Sequence, residues 1–274
     1  ETLDGTGIII RHKSDPSLPP PLPTANMLRQ QVYGVASSED LDAIEAELSK
    51  EQRVTRLSDG AIELKDAHGF ELKFQVSVRR KLDMPAEKIN APGAPAQRKP
   101  NEIGVWEEMP ALPRTLSHVV LFVPDLEIAA DFYCKRLGFV VTDILTGAGP
   151  FLRPKANDDH HTLFFIRTPD YMKGCEHVAF HMGGPTELMV AGTRFVKKGY
   201  QSFWGPGRHK FGSNWFWYFN SPMGCHVEYD ADMDKHDDNW VAREAPNGAE
   251  ASQIVLFEMR EKWAPGGPPP GAKP

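Results

Sequence analysis

At 274 residues, with 41% hydrophobic and 25% charged side chains, the chain is long enough for one large or two ordinary domains with a real core. Its 31 basic and 37 acidic residues give a formal charge of −6 without any long Lys/Arg run, which argues against nucleic acid or an anionic membrane surface as a partner. The longest apolar stretches, such as Val119 to Val123, fall far short of the roughly 20 residues of a membrane span, so a soluble protein is expected.

Residues 1 to about 15 hold one strand-like run, Gly7 to Arg11, followed by a stiff Pro-rich connector at Ser17 to Pro23. Gln31 to Ala36 (QVYGVA) then reads as a strand, Ser37 and Ser38 as caps, Glu39 to Lys50 as a helix, and AIELK (from Ala61) and FELKFQV (from Phe70) as strands. After the Pro-rich stretch Ala91 to Pro113 the order recurs. VVLFV leads to the N-cap Asp125, the helix LEIAADFYCKRL closed by Gly138, and the strands VVTDIL and HTLFFI. It recurs again as HVAFHM, Pro185-Thr186, ELMVAGTRFVKK with Gly199, then NWFWYF and CHVEYD. The repeating unit is a strand, a helix and about three strands, which predicts an α+β fold. We divide the chain into an N-terminal module at 1–90, a linker at 91–114, a C-terminal module at 115–230 and an extension with a Pro-rich tail at 231–274. Glu1 stands where a start Met is usual, and the run at Gly7 to Arg11 looks like the end of a further unit. The N-terminal module is therefore expected to be truncated at its start. Three widely spaced cysteines, Cys134, Cys175 and Cys225, fit neither a disulfide framework nor a zinc ribbon. With no charged-then-apolar leader opening the sequence, they predict a cytoplasmic location.

Histidines concentrate in the second part. His118 and His177 stand on first strands of units and Glu228 on a last strand, so a repeated fold can gather residues that lie far apart in sequence. Two imidazoles and one carboxylate on one face of a metal, with positions left open, is the pattern of non-haem Fe(II) oxygenases. His181 shares a face with His177 but lies roughly 13 Å along the strand, and His226 lies roughly 6.7 Å from Glu228, so both rank below His118. Aligned on Gly69 and Gly224, the earlier unit has Gln31 where the later has His177, and Lys73 where it has Glu228. An amide and a cation cannot hold a divalent metal, so one metal per chain is expected.

Over about residues 115 to 230 the chain resembles the type I extradiol ring-cleavage dioxygenases of the vicinal-oxygen-chelate superfamily. The residues that carry the resemblance are LSHVVLFVPDL, FY and LGF, then HHTLFF, EHVAFHM, GPGRH, NWFWYF, SPMG and HVEYD, in this order. The resemblance implies βαβββ units paired into two modules, with His118, His177 and Glu228 as ligands of Fe(II), or of Mn(II), which accepts the same ligands. It implies His161 as the pocket acid/base, with strand alternation sending His160 the other way, and His209 and Tyr218 as catalytic groups that hydrogen-bond the bound reactants. A substrate contact from Asn214 is a weaker inference, because Lys210 to Ser213 intervene in that loop. The implied reactants are a catechol from aromatic hydrocarbon catabolism and O2, and a homo-oligomer is the implied assembly.

The residue types suit that chemistry. A catechol chelates through adjacent oxygens and loses protons on binding, and a three-ligand facial site leaves room for diol and O2 side by side. An imidazole, with an unperturbed pKa near 6.5, exchanges protons at neutral pH. Trp204, Trp215, Trp217 and Trp240 are candidates to wall an apolar pocket. The competing readings are a metal-dependent glyoxalase-like isomerase or lyase and a drug-binding resistance protein of the same superfamily. The first generally draws ligands from more of its units, and the second has no use for the His161 and Tyr218 set.

Overall fold

The computed structural model describes residues 1–25 and 27–257, and the Pro-rich tail from Trp263 lies outside them. The N-terminal unit comprises β1 (Gln31–Val35), α1 (Ser38–Leu48), β2 (Thr55–Arg56), β3 (Ile62–Lys65) and β4 (Glu71–Val76), in a four-stranded sheet of order β1-β4-β3-β2. Helix α1 starts at a capping box: Ser37 Oγ accepts the Asp40 N–H while the Asp40 carboxylate accepts the Ser37 N–H. Its Leu41 and Leu48 bury against Leu72 and Phe74.

The second part is built from β5 (Thr115–Val123), α2 (Leu126–Asp131), β6 (Phe139–Thr146), β7 (Gly149–Pro154) and β8 (Leu163–Arg167). It continues with β9 (Gly174–His181), α3 (Pro185–Lys197), β10 (Ser202–His209), β11 (Trp215–Asn220) and β12 (His226–Ala231), followed by β13 (Arg243–Pro246), α4 (Ala249–Ser252) and β14 (Gln253–Leu256). All ten strands form one sheet of order β13-β6-β7-β8-β5-β9-β12-β11-β10-β14. In each unit the first strand lies parallel to the last, β5 beside β8 and β9 beside β12, while β5 and β9 meet antiparallel at the centre. That arrangement is the vicinal-oxygen-chelate fold, and it brings three strands remote in sequence side by side.

Alternation sorts the two faces of this sheet. One face packs on helices: Leu121, Val123 and Phe165 meet Ala129 and Tyr133, and Phe219, Tyr229 and Ala231 meet Leu188 and Ala191. On α3, a Cβ at Gly192 would lie 2.2 Å from Trp217 Cε3, so glycine is what lets this helix approach β11 so closely. The other face carries Val120, Phe122, Phe151, Phe164, Ile166, Trp204, Phe216 and Tyr218, and it encloses a cavity. Among the described residues no helix is long and apolar enough to cross a membrane.

Several expectations change. Gly7–Arg11 forms no strand, and Ile9 and Ile10 stand exposed, because no neighbouring edge pairs with them. β7 and β10 fall outside the expected strands: Gly and Pro interrupt their patterns, and β10 accommodates Gly205 and Pro206 through shifts in its register with β11. Helix α2 ends at Asp131 and runs on as a π-helical turn over Phe132–Arg136 before Gly138, at φ +70°, closes it.

The Gln31/Lys73 correspondence is out of step by one residue. Gln31 pairs with Leu72 and faces α1, and Lys73 occupies the opposite face beside Val32. In β9 and β12 His177 sits opposite His226, two residues before Glu228, and the same offset from Lys73 falls on Gln30. Gln30 and Lys73, not Gln31 and Lys73, therefore occupy the place of a metal site in the N-terminal unit, and the Gln30 amide donates to Glu63 at 2.9 Å. Lys73 is held by Asp59, with Nζ 3.3 Å from Oδ2.

Candidate active site

His118 on β5 and His177 on β9 line the cavity, and Glu228 on β12 meets them from beneath it, all three buried. Glu228 Oε2 is 3.0 Å from His118 Nε2 and 3.2 Å from His177 Nε2, and the two Nε2 atoms are 3.2 Å apart. Cis ligands at about 2.1 Å from one octahedral metal are separated by about 3.0 Å, so the spacing suits a shared ion.

The outer nitrogens are already engaged. Ser117 Oγ donates to Asp230 Oδ2 at 2.7 Å and so accepts from His118 Nδ1 at 3.1 Å, while His177 Nδ1 donates to Glu176. Both imidazoles therefore turn their Nε2 lone pairs inward, toward a carboxylate whose two oxygens accept no directed hydrogen bond among the described residues. Three electron-pair donors at one point require a cation between them. Burial opposes charge on His177, but Glu176 and Glu228 outweigh it and push that imidazole up to about 10, so a proton fills the gap that a metal would claim. Burial likewise works against the charge of Glu228, yet His118, His177 and His209 hold its carboxyl well below the usual range.

Further groups surround this point. The His161 ring lies 4.2 Å from that of His118 and lines the cavity. Burial first, then the neighbouring His118 and His160, hold His161 well below its ordinary pKa, and it is neutral at pH 7. His209 donates from Nδ1 to the Ser252 carbonyl at 2.9 Å, which leaves Nε2 to accept the Tyr218 hydroxyl at 3.2 Å. Burial, then Glu228, raises the Tyr218 pKa well above 10, keeping the phenol a donor. Asn214 lines the same cavity, fully buried, and neither atom of its amide has a partner among the described residues. All seven residues expected from the sequence are thus brought together.

Others are not. His181 pairs with Asp230 at 3.0 Å, and His226 donates to Glu176 at 2.8 Å while stacking on Phe203. Of the four tryptophans only Trp204 lines the cavity. Trp217 lies in the helix-side core, Trp215 beneath Arg208, and Trp240 against His236. His161 lines the cavity and His160 does not, but strand alternation is not the reason. The pair precedes β8, where alternation has not begun, and their Nδ1 atoms are 2.9 Å apart. Sequence reasoning also missed Glu176, the carboxylate that orients His177. An acid directly before a ligand histidine was the available signal, but ideal alternation would have sent it to the other face.

Residues 115–229 match the family described as the Glyoxalase/Bleomycin resistance protein/Dioxygenase superfamily. This match is confined to the one module, which makes up less than half of the 274 residues. A stretch of 123 residues is 37% identical to Metapyrocatechase 2 of Cupriavidus necator, a match covering 45% of this chain and 38% of that one. The matched region therefore spans less than two-fifths of the length of this curated relative. A Mn(II)-bound glyoxalase from Novosphingobium aromaticivorans has a similar structure, with a TM-score of 0.63 at 24% identity over 85% of this chain and 75% of that one. BphC, a halotolerant catechol dioxygenase, also reaches 0.63, at 19% identity over 88% and 77% of the two chains. Equal scores against two chemistries show that the fold alone does not choose between them.

Proposed function

We propose that the protein is an extradiol dioxygenase that opens a catechol ring with both atoms of O2 at a single Fe(II), acting in the cytoplasm in aromatic hydrocarbon catabolism. Residues 115–230 serve as the catalytic module, and 1–90 as a degenerate companion across the 91–114 linker. The observation that carries this reading is the convergence of His118, His177 and Glu228 at one point on the floor of an apolar cavity, with His161 and the Tyr218–His209 pair beside it. The 37% identity to a metapyrocatechase supports the dioxygenase over the glyoxalase-like reading, as does a candidate set of three ligands, which leaves positions free for two reactants.

When bound, the metal would act as a Lewis acid toward the diol and bring the diol and O2 together. This chain's residues supply the rest. Neutral His161 takes a proton from a diol hydroxyl and returns it later. Tyr218 donates its hydroxyl to a catecholate oxygen, with His209 Nε2 accepting that O–H before substrate arrives. Asn214 offers an amide to a bound reactant. Val120, Leu145, Phe151, Phe164 and Ile166 exclude water from the ring. Among the described lining residues there is no Lys or Arg, so an apolar substituent is accepted and a carboxylate would be buried without a counter-charge.

Anaerobically prepared, iron-loaded protein offered a panel of catechols should take up one O2 per ring opened, with a higher kcat/KM for alkyl- or aryl-substituted catechols than for carboxylated ones. Protein that holds iron and binds catechol yet consumes no O2 would overturn the reading. Mn(II)-loaded protein in the same assay assigns the metal. A homo-oligomer belongs to the same reading, supported by the exposed Val32 and Val76 of the small sheet; a monomeric mass by light scattering at micromolar concentration would reject it.

A further inference from the structure

Behind the cavity wall lies a polar chain that the chemistry above does not use. Asp143 on β6 and His160 before β8 are both fully buried, and neither lines the cavity. His160 Nε2 is 2.9 Å from Asp143 Oδ2, and His160 Nδ1 is 2.9 Å from His161 Nδ1. Asp143 is itself clamped by Arg243 on β13. The Arg243 main-chain N–H reaches Oδ1 at 2.7 Å and its Nη2 reaches Oδ2 at 2.6 Å, in a parallel pairing that sets Arg243 opposite Asp143. The His160 main-chain N–H donates to the Asp234 carbonyl at 2.8 Å. Gly212, at φ +79°, leaves room for the ring, since a Cβ there would lie 3.0 Å from His160 Nδ1.

We propose that Asp143 and His160 are positioning residues that fix the tautomer of His161, so that His161 presents a lone pair at Nε2 to the substrate. This rests on the dioxygenase reading for the role of His161, and on the hydrogen-bond geometry together with the burial of His160 for its protonation pattern. A carboxylate only accepts, so the N–H of His160 sits on Nε2. Burial, outweighing the pull of Asp143, lowers the His160 pKa and keeps the ring neutral, with a single N–H. Nδ1 of His160 is then an acceptor, and His161 must donate to it from Nδ1. The other ring nitrogen of His161, Nε2, is left basic. It accepts the diol proton, and the imidazolium so formed keeps its Nδ1–H bond to a ring backed by Asp143. The same proton leaves from Nε2 later, so the relay is unchanged over a turnover.

An Asp143→Asn variant tests the chain of donors. The Arg243 main-chain N–H and Nε hold the amide oxygen at the Oδ1 position, so the new NH2 takes the place of Oδ2, gives up the bond from Arg243 Nη2 and faces His160 Nε2, which must now accept. The His160 proton moves to Nδ1, and His161 is left with its proton on Nε2. In a serine-protease triad the equivalent carboxylate-to-amide change preserves the geometry and lowers kcat by about 10⁴ through the wrong tautomer.

The experiment is a long-range ¹H–¹⁵N correlation spectrum of full-length, histidine-labelled protein loaded with Zn(II), with the His161 signals assigned by their loss in His161→Phe. The wild type should show His161 protonated at Nδ1 and bare at Nε2, and Asp143→Asn should show the reverse. His160→Gln can accept from His161 and donate to Asp143, so it should retain the wild-type pattern, whereas His160→Phe should lose it. In the iron-loaded protein, Asp143→Asn and His160→Phe should lower kcat by about 10²–10⁴, with metal content kept and KM for the catechol within about twofold, and His160→Gln should restore most of the rate. A wild-type His161 protonated at Nε2 would overturn the proposal whatever the variants do. So would unchanged His161 signals in both Asp143→Asn and His160→Phe. If the spectra follow expectation while no catechol is turned over, the relay stands and the dioxygenase reading falls.

Discussion

Replacing Glu228 with glutamine is expected to remove the metal and the activity together while leaving the metal-free fold as stable as before, or more so. In the metal-free cluster the Glu228 carboxylate is buried against two inward-facing Nε2 atoms, at 3.0 and 3.2 Å. Glutamine removes the charge that, with Glu176, holds a proton on His177, and its NH2 in the same volume donates to the two Nε2 lone pairs and satisfies the cluster without a cation. With the metal bound, glutamine takes the one anionic ligand out of a buried charged set, a loss of roughly 3–5 kcal/mol that falls on the metal-bound state alone, so affinity for Fe(II) should fall by about 10²–10⁴. Elemental analysis should show about one metal per chain in the wild type and little in Glu228→Gln, and added Fe(II) should raise the melting temperature of the wild type alone. Two metals per chain, or a variant that keeps its ion, would refute the three-residue site.

His161→Phe should instead separate binding from chemistry. The ring packs 4.2 Å from His118 without belonging to the three-residue cluster, and Phe preserves a planar ring there while removing both nitrogens. Loss of a positioned acid/base is worth roughly 10²–10⁴ in rate, so turnover should fall by that much with metal content and catechol binding retained. His118→Ala should lose metal and turnover at once. Release of iron by His161→Phe would make His161 a ligand and unseat His118, and normal turnover would leave it a packing residue.

Much of the candidate site was legible because its members recur at equivalent places in a repeat. His118 and His177 lead first strands, and Glu228 sits on the last strand of the same unit as His177. Only a fold that pairs first with last strands makes that placement meaningful, and the parallel register of β9 and β12, with His177 opposite His226, is what brings Glu228 within reach. The register error at Gln31 shows the limit. The match through Gly69 and Gly224 was sound for β4 and wrong by one for β1, although the partly buried Tyr33 and Val35 on the Gln31 face already pointed toward the core.

Most element types, the repeat and the three donors were legible in the sequence from local periodicity and side-chain chemistry, whereas His161, Tyr218 and His209 were legible only through the family resemblance. Only the tertiary structure decided how the ring nitrogens are used. Asp143 lies 17 residues from His160 and 100 from Arg243, and Glu176 serves His177 and, 50 residues away, His226. Periodicity records which face of a strand a residue occupies. The partner of a buried polar atom is chosen by desolvation, which requires every such atom to find a donor or acceptor wherever the packed strands place one.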